Sequence, residues 1–244
     1  MINGLILSFQ FFSRIPINIP LEFSEKNIRY SIFFMPLVGA IIGGAGGLVY
    51  YFLHSHNIII ASFLALLISI ILTGGLHIDG LSDTIDGFMS NKNKDRTLEI
   101  MKDSRIGAFG VLSIVLLIMF KFILVISIES LPIAMILSFT NSRLALGYII
   151  SFKKMAKEDG LGSLFKNSNP KKPVILCTLI YLLILALIDL KYLLPLLFNF
   201  IIAEYISSIA YKKINGLTGD VYGAIIEIGE AISLLCFWGV MTWI

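Results

Sequence analysis

Charge is scarce in this chain. Only 14% of its 244 residues are Asp, Glu, Lys or Arg, against about 25% in ordinary soluble domains. So few charges cannot coat a water-soluble fold of this size. Cysteine is nearly absent too. Cys177 and Cys236 each sit in an apolar run, at no metal-ligand spacing and too few for a disulfide framework, so they read as packed or lipid-facing thiols. No large excess of either sign exists: a net charge of +3 is too small for a nucleic-acid surface, and no nucleic-acid partner is expected. The first residues, MINGLILSFQFFSRIP, lack a basic leader and a small-residue cleavage site, and read as an interfacial helix that stays on the protein. Alternating apolar and polar strands are missing as well, which excludes a membrane β-barrel.

Apolar residues take the place of all this. They make up 57% of the chain, and the mean hydropathy is +0.89. Continuous apolar runs fall at 32–53, 58–76, 108–128, 131–151, 174–189, 192–210 and 223–244. A crossing needs about 20 such residues, so the pattern predicts an all-α polytopic bundle of about seven membrane helices, one integral-membrane domain over 1–244. The two shortest runs, 58–76 and 174–189, are the ones open to being broken or re-entrant. Gly39, Gly43 and Gly47 repeat at four-residue spacing in the first run, which reads as close helix packing.

Lysine and arginine set the orientation. Sixteen of them lie in the N-terminal stretch, in the loop around 90–107, in the loop around 152–173 and at 212–213. The alternate connections hold only Lys191, while Lys121 and Arg143 fall inside runs. The positive-inside rule places the N-terminus and the long loops in the cytoplasm. Those loops can also bind anionic lipid or an anionic substrate.

Three polar blocks interrupt the apolar pattern. In GGLHIDGLSDTIDGFMS at 74–90, Asp79, Asp83 and Asp86 stand at i, i+4 and i+7, within about 60° on a helix. Three like charges on one stripe repel, and nothing basic lies nearby in sequence. A hard cation such as Mg²⁺, completed by substrate phosphates, would relieve that; a solvated helix end is the alternative reading. His77 is a further polar candidate. In DSRIGAFG at 103–110, Asp103, Ser104 and Arg105 can meet a phosphate, or simply form a helix-entry turn. In INGLTGDVYGAIIEIGEA at 214–231, Asp220, Glu227 and Glu230 fall within about 80° of one another. Carboxylates this close to the membrane interior face a cavity or a partner, and Lys121 and Arg143 are the partners a structural pairing would use. Glu204 carries the same ambiguity.

Taken together these strings resemble the cobalamin synthase family, the adenosylcobinamide-GDP ribazoletransferases. The resemblance rests on Arg14 with Pro16, GGLHIDGLSDTIDG at 74–87, DSRIGAFG at 103–110, and LTGDVYGA followed by Glu227 and Glu230, and it covers nearly the whole chain in order. Ser82 and Asn215 stand where family members often have Ala and Gly; neither departure removes a candidate ligand. The resemblance implies an Mg²⁺-dependent transferase of substituted phosphate groups, integral to the cytoplasmic membrane with its active site facing the cytoplasm. Adenosylcobinamide-GDP and α-ribazole, or its 5′-phosphate, would give adenosylcobalamin, or its 5′-phosphate, and GMP. On this reading Asp79, Asp83 and Asp86 are catalytic and bind metal, with Asp220 and then Glu227 completing the opposite wall and Glu230 in support. Arg14, Arg105 and Arg143 would clamp phosphate, and His77, Asp103, Ser104 and Thr218 would join them in binding substrate.

Two other functions compete. A CDP-alcohol phosphatidyltransferase also places spaced aspartates at a membrane edge, but its Asp-Gly is followed by Ala-Arg, whereas FMSNKNKD follows Asp86-Gly87 here. A cation-coupled transporter could use Glu204, Glu227 and Glu230 as a relay, against which stands the absence of repeat symmetry. The acceptor's phosphorylation, its base, the number of metal ions and the oligomeric state, homo-oligomer included, stay open.

Overall fold

The computed structural model describes residues 1–157 and 160–243, and every regular element among them is helical. Helix α1 (Ile2–Phe12) precedes α2 (Glu25–Leu53), α3 (Ile58–Thr73), α4 (Leu76–Met89) and the short α5 (Lys94–Ile100). Then come α6 (Ala108–Ser127), α7 (Leu131–Phe152), the short α8 (Leu161–Asn167), α9 (Lys171–Ile188), α10 (Leu193–Ile214) and α11 (Gly219–Trp243). Six of these are long and apolar enough to cross a membrane on their own. A seventh span exists only in bent form: α3 and α4 qualify together and meet at 85°, the shape of a broken span or a re-entrant loop. The run at 174–189 is one unbroken helix. The last expected run reaches Ile244, which lies outside the described residues.

The break has a local cause. Gly74 and Gly75 both take positive φ, 66° and 72°, a left-handed backbone that costs glycine nothing and side-chain residues a good deal. With two such residues in succession α3 cannot continue. The side chain of Arg14 fills the place where a Cβ on Gly74 would stand. Beyond the break, α4 runs antiparallel beside both α6 and α11. Ile78 shares a crevice with Ile118 and Lys121, Ser82 lies against Gly110, and Asp86 bonds to the α6 entrance. On the other flank His77 backs onto Gly223 and Gly80 onto Asp220. Helix α4 therefore runs on from the break towards the end that carries the basic loops.

Helix α7 is the axis of the bundle; nearly all of it is buried, and the glycine stripe of α2 lies along it. A Cβ on Gly39 would come within 2.8 Å of Arg143 Cδ, and one on Gly47 within 2.8 Å of Pro132 Cα, so the stripe serves close packing, as its spacing predicts. Helices α6 and α9 turn most of their surface outwards; Leu112, Leu116, Met119, Ile123, Leu179, Leu183 and Leu187 are all exposed. Apolar side chains facing out along whole helices are what lipid contact requires.

Candidate active site

At the basic end of the bundle, α4, the 101–106 loop and the first turn of α11 enclose an open cleft of about 740 Å³. Asp79, Ser82 and Asp83 form one wall, and Met101 to Ser104 form another. Asp220 stands opposite. The approach of α11 to α4 is close because Gly80 lacks a side chain: a Cβ there would lie 3.0 Å from the Cα of Asp220. Two blocks more than a hundred residues apart thus line one cleft. Thr218 caps α11, accepting from the Val221 amide and donating to Asp220 Oδ2, both at 3.3 Å. The negative charges of Asp79, Asp220 and Asp86 all bear on Asp83. Among the described residues no lysine or arginine forms an ion pair with Asp79, Asp83 or Asp220.

The structure disposes of the remaining candidates in different ways. Asp86 does not line the cleft; its carboxylate accepts from the Gly107 and Gly110 amides at 2.7 and 2.8 Å. It satisfies orphan donors at the start of α6 and complements the positive end of that helix dipole, the work of a capping residue. Glu227 and Arg143 are absent from the cleft as well. Lys121 Nζ donates to Glu227 and Glu230, each at 2.6 Å, and Arg143, wholly buried beneath the Phe139 ring, pairs with Glu230. Two cations and two carboxylates cancel inside the bundle, which is the structural pairing that the sequence leaves open. Glu204 is likewise bound to Lys153 at 2.6 Å. Every glutamate that a transporter relay would need is thereby neutralised by a partner.

Asp103 and Ser104 do line the cleft. Arg105 turns back on Asp103, donating to both of its oxygens at 3.0 and 2.7 Å. Those bonds hold the Asp103 carboxyl down at about 2, so it stays ionised at any physiological pH. Arg14 is exposed over the α3–α4 break and is not a wall of the cleft. His77 is 5% exposed, and its Nε2 has no hydrogen-bond partner.

Two side arms open from the acidic cleft, and sequence reasoning missed both. One, of about 290 Å³, runs between Lys102, Lys157, Gly160, Thr218 and Asp220; Glu158 and Asp159 of the same loop lie outside the described residues. The other, of about 190 Å³, is lined mainly by apolar and aromatic side chains and passes His77, Asp79 and Asp220. The lysines signal topology, with anionic lipid or an anionic substrate as a further use of the loops, and the N-terminal segment reads as an interfacial helix. No signal within either segment tells that they converge on Asp220.

No three His, Cys, Asp or Glu side chains among the described residues draw together into a closed metal cage. The donors of the cleft are carboxylate oxygens on an open wall, a set that suits Mg²⁺, an ion that takes one or two carboxylates and fills its octahedron with water and substrate phosphates.

Comparison with known proteins agrees with this geometry. Residues 4–238 match the family model described as cobalamin-5-phosphate synthase. The chain is 40% identical to an adenosylcobinamide-GDP ribazoletransferase of Treponema denticola, covering 93% of this chain and 94% of that protein. It is 41% identical to one of Clostridium novyi, over 96% and 95% of the two chains. No solved structure matches. On a match that takes in both carboxylate blocks and the loops between them, the chain belongs to the cobalamin-5-phosphate synthase family.

Proposed function

We propose that this protein is an adenosylcobinamide-GDP ribazoletransferase, joining adenosylcobinamide-GDP to α-ribazole or its 5′-phosphate with release of GMP. The observation that carries the reading is the convergence of Asp79, Asp83 and Asp220 on one cleft at the end of a membrane bundle, with Lys102 in the lining but no ion pair to any of the three among the described residues. Relatives matched along nearly their full length bear that name. In the reaction a ribose hydroxyl forms a P–O bond to the phosphoryl group on cobinamide, and the P–O bond to GMP breaks.

Such a transfer asks a protein chiefly for positioning and charge compensation. Mg²⁺ held by Asp79, Asp83 and Asp220 would supply that compensation at the pyrophosphate and at the departing GMP. Asp83, on the cleft wall between Asp79 and the 101–106 loop, is placed to accept the hydroxyl proton as the new bond forms. Lys102 and Lys157 in the basic arm are suited to the phosphate of the leaving nucleotide. Asp103 locks Arg105 at the rim, where the pair orders the loop that closes the cleft. The charge asymmetry of the loops supports a cytoplasmic site in the inner membrane, the side on which nucleotides are found.

Purified protein in detergent, given both substrates, is expected to release GMP in step with formation of the joined product. Chelation by EDTA should abolish release, and added Mg²⁺ should restore it. No GMP release under any metal condition would overturn the reading.

A further inference from the structure

We propose that the apolar arm holds the aromatic base of the acceptor, a flat two-ring heterocycle, and presents its ribose to the carboxylates. The inference rests on the reading of the reaction given above. The arm encloses about 190 Å³, whereas an apolar cavity of about 150 Å³ takes up a single benzene ring. A fused bicyclic base fits this class of space, and a corrin does not. The walls are built for a ring. Phe12 and Phe165 are stacked with centroids 5.4 Å apart and 27° between planes. Phe11 meets Phe165 edge-on at 5.2 Å. Tyr222 adds another aromatic face. Such surfaces bind any base through its π-face.

Polar economy decides which base. Among the side chains that line the arm, His77 offers a buried nitrogen, Nε2, with no partner. Guanine carries an amino group, a ring N–H and a carbonyl oxygen; Asp79 and Asp220, the carboxylates at the mouth of the arm, are given to the metal on the reading above, so burial here would leave most of those groups unsatisfied, at a steep cost. A benzimidazole attached to ribose keeps one ring nitrogen with a free lone pair, and a single imidazole N–H satisfies it. Its remaining edge is hydrocarbon, matched to the apolar wall. The arm also has the right outlet. Asp79 and Asp220 line both it and the acidic cleft, so a ribose linked to a base lodged there emerges at the carboxylates. The guanosine of the other substrate is left to the basic arm, which adjoins the apolar one at Leu161, Gly162, Gly219 and Asp220.

Two variants test the base site at positions outside the cleft and the basic arm. Leu76 lines only the apolar arm and is 52% exposed, so Leu76→Trp fills the arm without straining the core. Phe11→Ala removes a wall at a half-buried position. Both should raise KM for α-ribazole at least about tenfold, the scale of one lost aromatic contact, with KM for adenosylcobinamide-GDP and kcat little changed. A riboside of unmethylated benzimidazole should bind on the order of tenfold more weakly than the 5,6-dimethyl form, through the loss of two buried methyl groups. Independently of turnover, 5,6-dimethylbenzimidazole itself should show saturation-transfer NMR contact with the wild-type protein, and lose it in Leu76→Trp. An unchanged acceptor KM in both folded variants, or no contact between the free base and wild type, overturns the base site while GMP release leaves the reaction standing. An absence of GMP release with base contact intact overturns the reaction and leaves the base site.

Discussion

Three aspartates at i, i+4 and i+7 look equivalent in sequence, and the fold gives them unequal work. Asp79 and Asp83 face the cleft, whereas Asp86 is committed to the amides that open α6. Asp83→Asn keeps the shape and removes the charge, so turnover should fall at least about a hundredfold, with the thermal transition of the detergent-solubilised protein unchanged or raised because like-charge repulsion is relieved. Wild-type turnover would remove Asp83 from the chemistry. Asp86→Ala should behave in the opposite sense, lowering stability by about 1–2 kcal/mol as a lost cap does. The glutamates sort differently again. Glu230→Ala strips Arg143 of its carboxylate and Lys121 of one of two, and a buried charge left unpaired costs about 3–5 kcal/mol. Thermal unfolding should therefore reveal a large loss where Asp83→Asn shows none. The division between these roles was hidden in the spacing. Asp220, Glu227 and Glu230 do share one helix face, but each turn carries them about 5.4 Å deeper, and only the partners at each depth separate a cleft residue from an internal ion pair.

Among the elements, α4 is decisive because it touches α6 and α11 at once. Its fit against α11 depends on Gly80 and Gly223, which meet with nothing between them. Gly80→Val should wedge the helices apart, separating Asp79 and Asp83 from Asp220 with every carboxylate intact. A displacement of about 1 Å is enough to cost about a hundredfold in rate, and the assay for GMP release reads it directly. Retained activity would show that the two walls need not be held at this separation. Six crossings were legible from hydropathy, those of α6 and α7 to within a residue and the others with ends displaced by up to seven, since a continuous apolar run has few other outcomes while its polar ends carry no hydropathy signal. The broken crossing was legible only as a short run, because a glycine pair marks where a helix stops and says nothing of the 85° turn that follows. The N-terminal stretch was expected to be an interfacial helix, and a helix, α1, is what stands there. That its phenylalanines meet Phe165 depends on a contact across some 150 residues, which no local pattern encodes.

At the scale of the molecule, the basic loops gather at the end where the cleft opens. A reporter inserted near Lys166 is expected inside the cell, and one fused after Ile244 outside, as seven crossings from a cytoplasmic N-terminus require. An external Lys166 would put the carboxylates on the side without nucleotides and overturn the assignment of the site. The broken crossing also sets an order of events during synthesis. Sixteen residues of α3 rise only about 24 Å, short of the roughly 30 Å hydrocarbon layer, so α3 cannot complete the passage alone. Helix α4 must finish it, yet an aspartate at the centre of a helix resists insertion by about 2.5–3.5 kcal/mol, and α4 carries three. The flanks that shelter it, α6 and α11, leave the ribosome later. A nascent chain therefore has to keep α4 waiting at the membrane surface until residue 219 and beyond have emerged, and the acidic cleft comes into being only once α11 arrives to close it.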